Sequence, residues 1–279
     1  VDAAMLRSLS KREQPESRVV FVDPLDANAA FKYKGNSICT GKYNLFTFLP
    51  KALYEQFRRV ANIYFLSVAI ISLFPAISPI EPYTIWTPLI LVVGLSMAKE
   101  AVEDYKRHKQ DKEQNTTLTE RFNGTSMTQC EWREVRSGDL VRVVRDQAFP
   151  CDLVLLASNL DDRVCYVETK NLDGETNLKL KRGVEGMGKV VDGGNAILAA
   201  MSSNKACHVE CEHANNSLYT FTGNLDATRE VYDGSPFEGD VKKISLQPVN
   251  VLLRGSSLRN TEYVIGIAIY TGHDTKVMM

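Results

Sequence analysis

The amino-acid sequence predicts an α+β protein in which a transmembrane helical hairpin is joined to a mostly β cytoplasmic domain, and three observations carry that expectation. Two long apolar runs without charge lie close together, the charges are segregated into blocks, and the hydrophobic period changes after residue 115. Overall the 279 residues hold 33 Lys and Arg against 34 Asp and Glu, a balance of −1 that argues against a dedicated nucleic-acid binder. The balance conceals three regions. Residues 1–59 carry ten basic and six acidic side chains, residues 60–98 carry Glu81 alone, and residues 99–279 carry 23 basic and 27 acidic ones.

The runs Val60 to Ile77 and Pro82 to Ala98 are each about 17 to 18 residues long, the least that crosses a hydrocarbon core of roughly 30 Å. Ser78, Pro79, Ile80 and Glu81 separate them, so a tight turn and a helical hairpin are expected. Arg58 and Arg59 precede the first run, and Lys99, Lys106, Arg107 and Lys109 follow the second. The positive-inside rule therefore puts both flanks in the cytosol, where the triplets at Asn115, Asn123 and Asn215 would stay unglycosylated. A buried helical pair of a large soluble protein is the bland alternative. Ser67, Ser72, Ser78, Ser96 and three prolines interrupt the runs, either bonding their own backbone or facing a polar path.

Ala101 to Gln114 reads as a helical stalk of mixed charge. Beyond it, short β-branched or aromatic runs at 132–135, 140–144, 153–157, 164–167, 218–222, 249–253 and 263–270 predict strands separated by turn clusters. The expected organisation is a basic segment over 1–59, the hairpin over 60–98, the stalk over 99–114 and a β-rich domain over 115–279 with a core of its own. Gly183 to Asn204, rich in glycine, reads as a surface insertion with one short helix. The six cysteines are irregularly spaced and read as reduced thiols. Cys207 to His213 has the residue types of a zinc site, but alternation puts Cys207, Val209 and Cys211 on one strand face and His208, Glu210 and Glu212 on the other. Val1 is not an initiator Met and no signal-length apolar stretch lies in residues 1–30, so a fragment or processed product is expected.

The sharpest local pattern is Leu172-Asp173-Gly174-Glu175-Thr176-Asn177, placed at a turn after a strand. Gly174 permits a tight bend and leaves Glu175 projecting from a loop. Taken alone, an Asp-Gly pair is also an ordinary hairpin turn with solvated acids.

The wider context points to one family. Gly35 to Ile38, Thr40, Lys42 to Asn44, Phe48 to Lys51, Leu53, Gln56 to Arg59 and Ala61-Asn62 resemble the segment by which type IV P-type ATPases, the phospholipid flippases, enter the membrane. Lys99-Glu100, Glu103-Asp104, Arg107-His108 and Asp111 resemble the stalk of that family, and Thr169 to Leu180 resembles its actuator-domain signature. Leu253 to Gly255, Leu258 to Thr261 and Tyr270 to Lys276 match as well.

The resemblance implies that ATP, with Mg²⁺, phosphorylates an aspartate in a DKTGT motif of another domain, and that the actuator brings its loop onto the aspartyl phosphate. Glu175 would then position or deprotonate the hydrolytic water, with Asp173, Gly174 and Thr176 shaping the loop. This chain has no DKTGT run and no expected metal site, so it is expected to be inactive alone. Ser72 and Leu73 align where phosphatidylserine transporters of the family carry two glutamines, which leaves the lipid open. With Asn62 they are the candidates for the lipid path. Implied partners are phospholipid, anionic inner-leaflet lipid beside residues 1–59, the remaining ATPase domains and a membrane accessory subunit, and the implied location is the plasma membrane or a Golgi or endosomal membrane. A cation-pumping P-type ATPase and a membrane-anchored β scaffold or regulator are the competing readings.

Overall fold

Strands β5 (Asp152–Ser158) and β13 (Tyr263–Tyr270) are the centre of the larger unit, and their nearly unbroken apolar sequences explain why: a strand buried on both faces has no need of polar alternation. Successive side chains of β5 enter opposite cores. Leu153 and Leu155 meet Val141, Phe149, Val167 and Leu258, whereas Val154 and Leu156 meet Phe122, Leu198, Val209 and Leu225. The computed structural model describes residues 17–22, 28, 31–44, 46–74, 81–160, 162–187, 190, 194–203, 206–234 and 236–279. The end of the first expected run from Pro75, most of the expected hairpin turn (Ser78, Pro79 and Ile80) and residues 1–16 of the basic segment lie outside them.

The remaining strands are β1 (Arg18–Phe21), β2 (Leu118–Phe122), β3 (Met127–Glu131), β4 (Leu140–Val144), β6 (Val164–Glu168), β7 (Leu178–Arg182), β8 (His208–Cys211), β9 (Gly223–Thr228), β10 (Val241–Leu246), β11 (Val251–Leu252) and β12 (Ser257–Arg259). They form a six-stranded sheet β11-β5-β13-β4-β2-β3, a four-stranded sheet β1-β8-β9-β10 and a three-stranded sheet β12-β6-β7. Together with the apolar helices this is the α+β class expected from the sequence. Three local expectations change. Trp132–Glu134 is a single 3-10 turn closed by the Val135 N–H on the Trp132 carbonyl, not a strand. Residues 218–222 precede β9, whose register is set from outside by β8. The expected surface insertion instead contributes Val184, Met187, Val190, Leu198 and Met201 to the core, the last two from a short helix (Gly194–Ser203) that turns its apolar face inward. In β8 the alternation holds, with Val209 and Cys211 buried and His208 and Glu210 half-buried.

The amino-terminal flank joins this β unit, which comprises Val1–Ile38 and Asn115–Met279. β1 pairs with β8 from Arg18 opposite Cys211 to Phe21 opposite His208, and Val20 and Val22 enter the core. Asn36 is fully buried: its amide donates to the carbonyls of Trp132 at 2.7 Å and Pro150 at 3.1 Å. Its oxygen accepts from Arg254 Nη1 at 2.6 Å and Gly272 N at 2.9 Å. Gly272, at φ 57°, has no room for a side chain, since a Cβ would lie 2.2 Å from the Gly35 carbonyl. Asp152 accepts the backbone N–H groups of Arg254 and Lys276, both at 2.8 Å, and burial pushes its carboxyl up to about 6.

At the edge of the unit the Asn115 side chain accepts from Ile38 N at 2.9 Å and donates to Ile38 O at 2.8 Å. Asn123 receives Thr125 N and Ser126 N, and Asn215 receives Lys276 Nζ, so all three glycosylation-triplet asparagines are engaged. The apposition of Ile38 and Asn115 also yields a test. Residues 115–279 alone are expected to lose cooperative unfolding in urea, and joining 17–38 to 115–279 through a short Gly-Ser linker should restore it. Equal cooperativity in both would show that β1 and Asn36 contribute nothing to the unit.

The second unit, Cys39–Gln114, is helical. It holds α1 (Phe48–Phe57), α2 (Val60–Ile71) and most of the 34-residue α3 (Pro82–Asn115), which is about 51 Å long at 1.5 Å per residue. Among the described residues α3 is the helix long and apolar enough to cross a membrane; α2 is apolar but has 12 residues, and its helix ends before the expected run does. Ala69 meets Leu89 and Val93 of α3, and the Ala69 carbonyl accepts Trp86 Nε1 at 3.1 Å. Expected span and stalk are one continuous helix. Its carboxy-terminal part is zipped to the preceding extended segment: Thr40 N and Oγ1 donate to Asp111 at 2.6 and 2.7 Å, Lys42 N donates to Asp104 at 2.8 Å, and the Tyr43 hydroxyl donates to Glu100.

Candidate functional site

The candidate loop connects β6 to β7 in the three-stranded sheet. Thr169 leaves β6, residues Lys170–Asp173 make one helical turn, and the turn ends in the left-handed residue Gly174 at φ 75°. Leu172 N and Asp173 N both donate to the Thr169 carbonyl, at 2.8 and 3.1 Å, and Gly174 N donates to Lys170 O at 3.0 Å. A Cβ on Gly174 would meet nothing within 4 Å, so the backbone conformation, rather than space, calls for glycine there.

Asp173 organises the loop from its centre. Thr169 Oγ1 lies 3.0 Å from each of its carboxylate oxygens, Glu175 N donates to Oδ1 at 3.0 Å, and Lys179 Nζ donates to Oδ2. The Lys179 hydrogen bond, followed by that from Glu175 N, holds the Asp173 carboxyl below the usual carboxylate range, and Lys179 is raised by the same contact. Glu175 points outward: its side chain is 58% exposed, with Oε2 3.1 Å from Lys179 Nζ. Thr176 is exposed beside it.

Beneath the loop a small recess is lined by Thr169, Leu172, Lys179, Lys181 and Tyr219. Lys181 Nζ donates to Pro248 O at 2.8 Å, and burial lowers its pKa. From behind β6, Arg259 of β12 donates Nε to Glu168 at 2.9 Å and pairs with Asp146, which fixes the strand from which the loop springs. Arranged in this way, the loop offers an outward carboxylate on a braced base, fit to orient water or accept a proton from it once a substrate is brought to it.

Asp173, Gly174, Glu175 and Thr176 therefore lie in one turn. Thr169 and Lys179, to which the sequence analysis assigned no role, complete it; a hydroxyl four residues before Asp173 and a lysine four residues after Glu175 were the available signals. Asn62, Ser72 and Leu73 belong to the helical unit, at opposite ends of α2, with Asn62 and Ser72 separated by about 15 Å of helix. Asn62 Nδ2 donates to Gln56 O at 2.8 Å and ties α1 to α2, Ser72 Oγ donates to Ala69 O at 2.7 Å, and Leu73 is exposed. Among the described residues no group of three His, Cys, Asp or Glu side chains is placed to hold a metal.

Comparison with known proteins bears on the same residues. A family model described as the phospholipid-translocating ATPase N-terminal region matches residues 20–86. Phospholipid-transporting ATPase 6 of Arabidopsis thaliana is 47% identical over 257 residues, 90% of this chain and 19% of that protein. Probable phospholipid-transporting ATPase 5 of the same plant is 44% identical over 266 residues, 94% of this chain and 20% of that protein. Phospholipid-transporting ATPase C887.12 of Schizosaccharomyces pombe is 39% identical over 280 residues, 98% of this chain and 21% of that protein. The chain thus spans about a fifth of the length of the relatives it matches.

Proposed function

The chain belongs to the phospholipid-transporting P-type ATPases, and we propose that in the whole protein it supplies the first membrane helices and the loop that removes phosphate from a phosphorylated aspartate during phospholipid transport. The observation that carries this reading is the outward Glu175 carboxylate on a turn braced by Thr169, Asp173 and Lys179. As a water oxygen bonds to phosphorus, Glu175 takes a proton from it. The bond from phosphorus to the aspartyl oxygen breaks, which returns the aspartate as a carboxylate and releases inorganic phosphate. Fixing water in line and accepting its proton is commonly worth about 10² to 10⁴-fold for the acid-base part. Asp173, Gly174 and Thr176 keep the loop's shape. ATP would supply the phosphoryl group, with Mg²⁺, in the whole protein, and the part of this chain follows the phosphoryl transfer. The direct test is the decay of phosphoenzyme in a Glu175→Gln variant of the whole protein.

The lipid path is placed along α2, with Ser72, Leu73 and Asn62 as its candidates, in a protein of the plasma membrane or of Golgi or endosomal membranes. An accessory membrane subunit is part of the same reading. Anionic inner-leaflet lipid beside residues 1–59 belongs to the same reading, with Lys51, Arg58 and Arg59 bordering the membrane helices as its first contacts and Arg18 excepted, since Arg18 is buried against Asp274 at 3.2 Å. Both flanks of the membrane part are placed in the cytosol because Arg58, Arg59, Lys99, Lys106 and Arg107 border it. A glycosylation reporter attached at either end of the chain is expected to remain unmodified in cells, and modification of either one would reverse the orientation.

A further inference from the structure

Glu175 is exposed, and a free glutamate on a loop would sample several rotamers. Here one oxygen is restrained. Lys179 Nζ lies 3.1 Å from Glu175 Oε2 while also donating to Asp173, and it sits 5.6 Å from the centre of the Tyr219 ring. Lys179 is the less exposed partner, at 29% against 58%, and Asp173 is itself fixed by Thr169 Oγ1 and Glu175 N. The lysine is therefore the fixed member of the pair and the glutamate the guided one. A pair so open to solvent adds little to folding, yet a severalfold bias among rotamers is enough to aim a carboxylate.

We propose that Lys179 is a positioning residue for dephosphorylation, an inference that rests on the reading of Glu175 given above. It holds Glu175 Oε2 and leaves Oε1 turned outward to take the proton of the attacking water. Lys179 itself exchanges no proton and touches no reacting atom in this arrangement. A displacement of about 1 Å in a reacting group can cost up to about a hundredfold in rate, which sets the scale of the effect.

The test uses the whole protein with Lys179→Met, Lys179→Arg, Glu175→Gln and the Lys179→Met/Glu175→Gln pair; Lys179→Gln, which keeps a neutral donor, serves if the methionine variant does not fold. Phosphoenzyme decay is followed after a chase with unlabelled ATP, and phosphoenzyme formation is followed against ATP concentration. Lys179→Met is expected to slow decay about tenfold to a hundredfold with formation unchanged, and Lys179→Arg to recover most of the loss. The double variant should decay no more slowly than Glu175→Gln alone, because a residue acting through Glu175 has nothing left to position. Wild-type decay in Lys179→Met beside slow decay in Glu175→Gln would discard the lysine and keep the glutamate. A further slowing in the double variant would show that Lys179 acts independently of Glu175 and would overturn the proposal. Wild-type decay in Glu175→Gln would remove the underlying reading, and this inference with it.

Discussion

Glu175→Gln in the whole protein is expected to accept phosphate from ATP normally and to lose it about 10² to 10⁴ times more slowly. The amide has nearly the shape of the carboxylate and can keep the turn, but it cannot take a proton from water. Phosphoenzyme should accumulate and phospholipid transport should stop with it. Stability should barely move, since the side chain is 58% exposed and its pairing with Lys179 lies at the surface. If Glu175 were a solvated turn residue and nothing more, decay and transport would both match wild type, and that result would end the assignment of this loop.

Asn36→Ala is expected to destabilise the β unit by about 3 to 5 kcal/mol, the scale of breaking a buried charged contact. Four hydrogen bonds meet at this one side chain. Its loss strands the Pro150 carbonyl and the Gly272 N–H, leaves the Trp132 carbonyl with the Val135 N–H alone, and removes a partner from Arg254, whose Nη2 already has none among the described residues. Urea unfolding of the chain, followed by the fluorescence of Trp132, should show the shift in midpoint. Lys34→Ala is the control: its side chain is 62% exposed, and losing its pair with Asp274 should cost less than about 1 kcal/mol. A shift no larger for Asn36→Ala than for Lys34→Ala would mean that the buried network is not what joins residues 17–38 to the unit.

What could be read from the sequence follows from how each element is stabilised. β5 and β13 are buried on both faces, so their apolar runs stand out without any knowledge of partners. β7 (LKLKR) and β10 (VKKISL) were not expected as strands, because each is a lysine-bearing strand at a sheet edge, held by pairing with β6 or β9; in β7 Leu178 and Leu180 are the exposed residues and Lys179 and Lys181 the half-buried ones, the reverse of an amphipathic strand. β1 was hidden for a related reason: its partner β8 is about 190 residues away, and nothing local in Arg18–Phe21 announces the pairing. In the candidate loop the Asp-Gly turn and the projecting Glu175 were legible because the left-handed glycine is a local requirement. The brace of Thr169 and Lys179 was not, because it depends on the helical turn that brings their side chains around Asp173.

The ladder between the extended segment 40–43 and α3 has a consequence for which substitutions the protein can absorb. Position 42 contributes a backbone N–H to Asp104, so a library at this position should accept nearly any side chain and reject proline, despite the lysine found there. Position 40 uses backbone and hydroxyl together on Asp111, so serine should pass and valine, its nearest shape, should fail. Position 43 needs a phenol that reaches Glu100, so phenylalanine fills the space but leaves Glu100 with the long Gln56 contact alone. The three neighbouring letters therefore differ in mutational freedom in an order unrelated to their chemical prominence, and an insertion between positions 40 and 43 should be worse than any replacement, because it takes every later rung out of step.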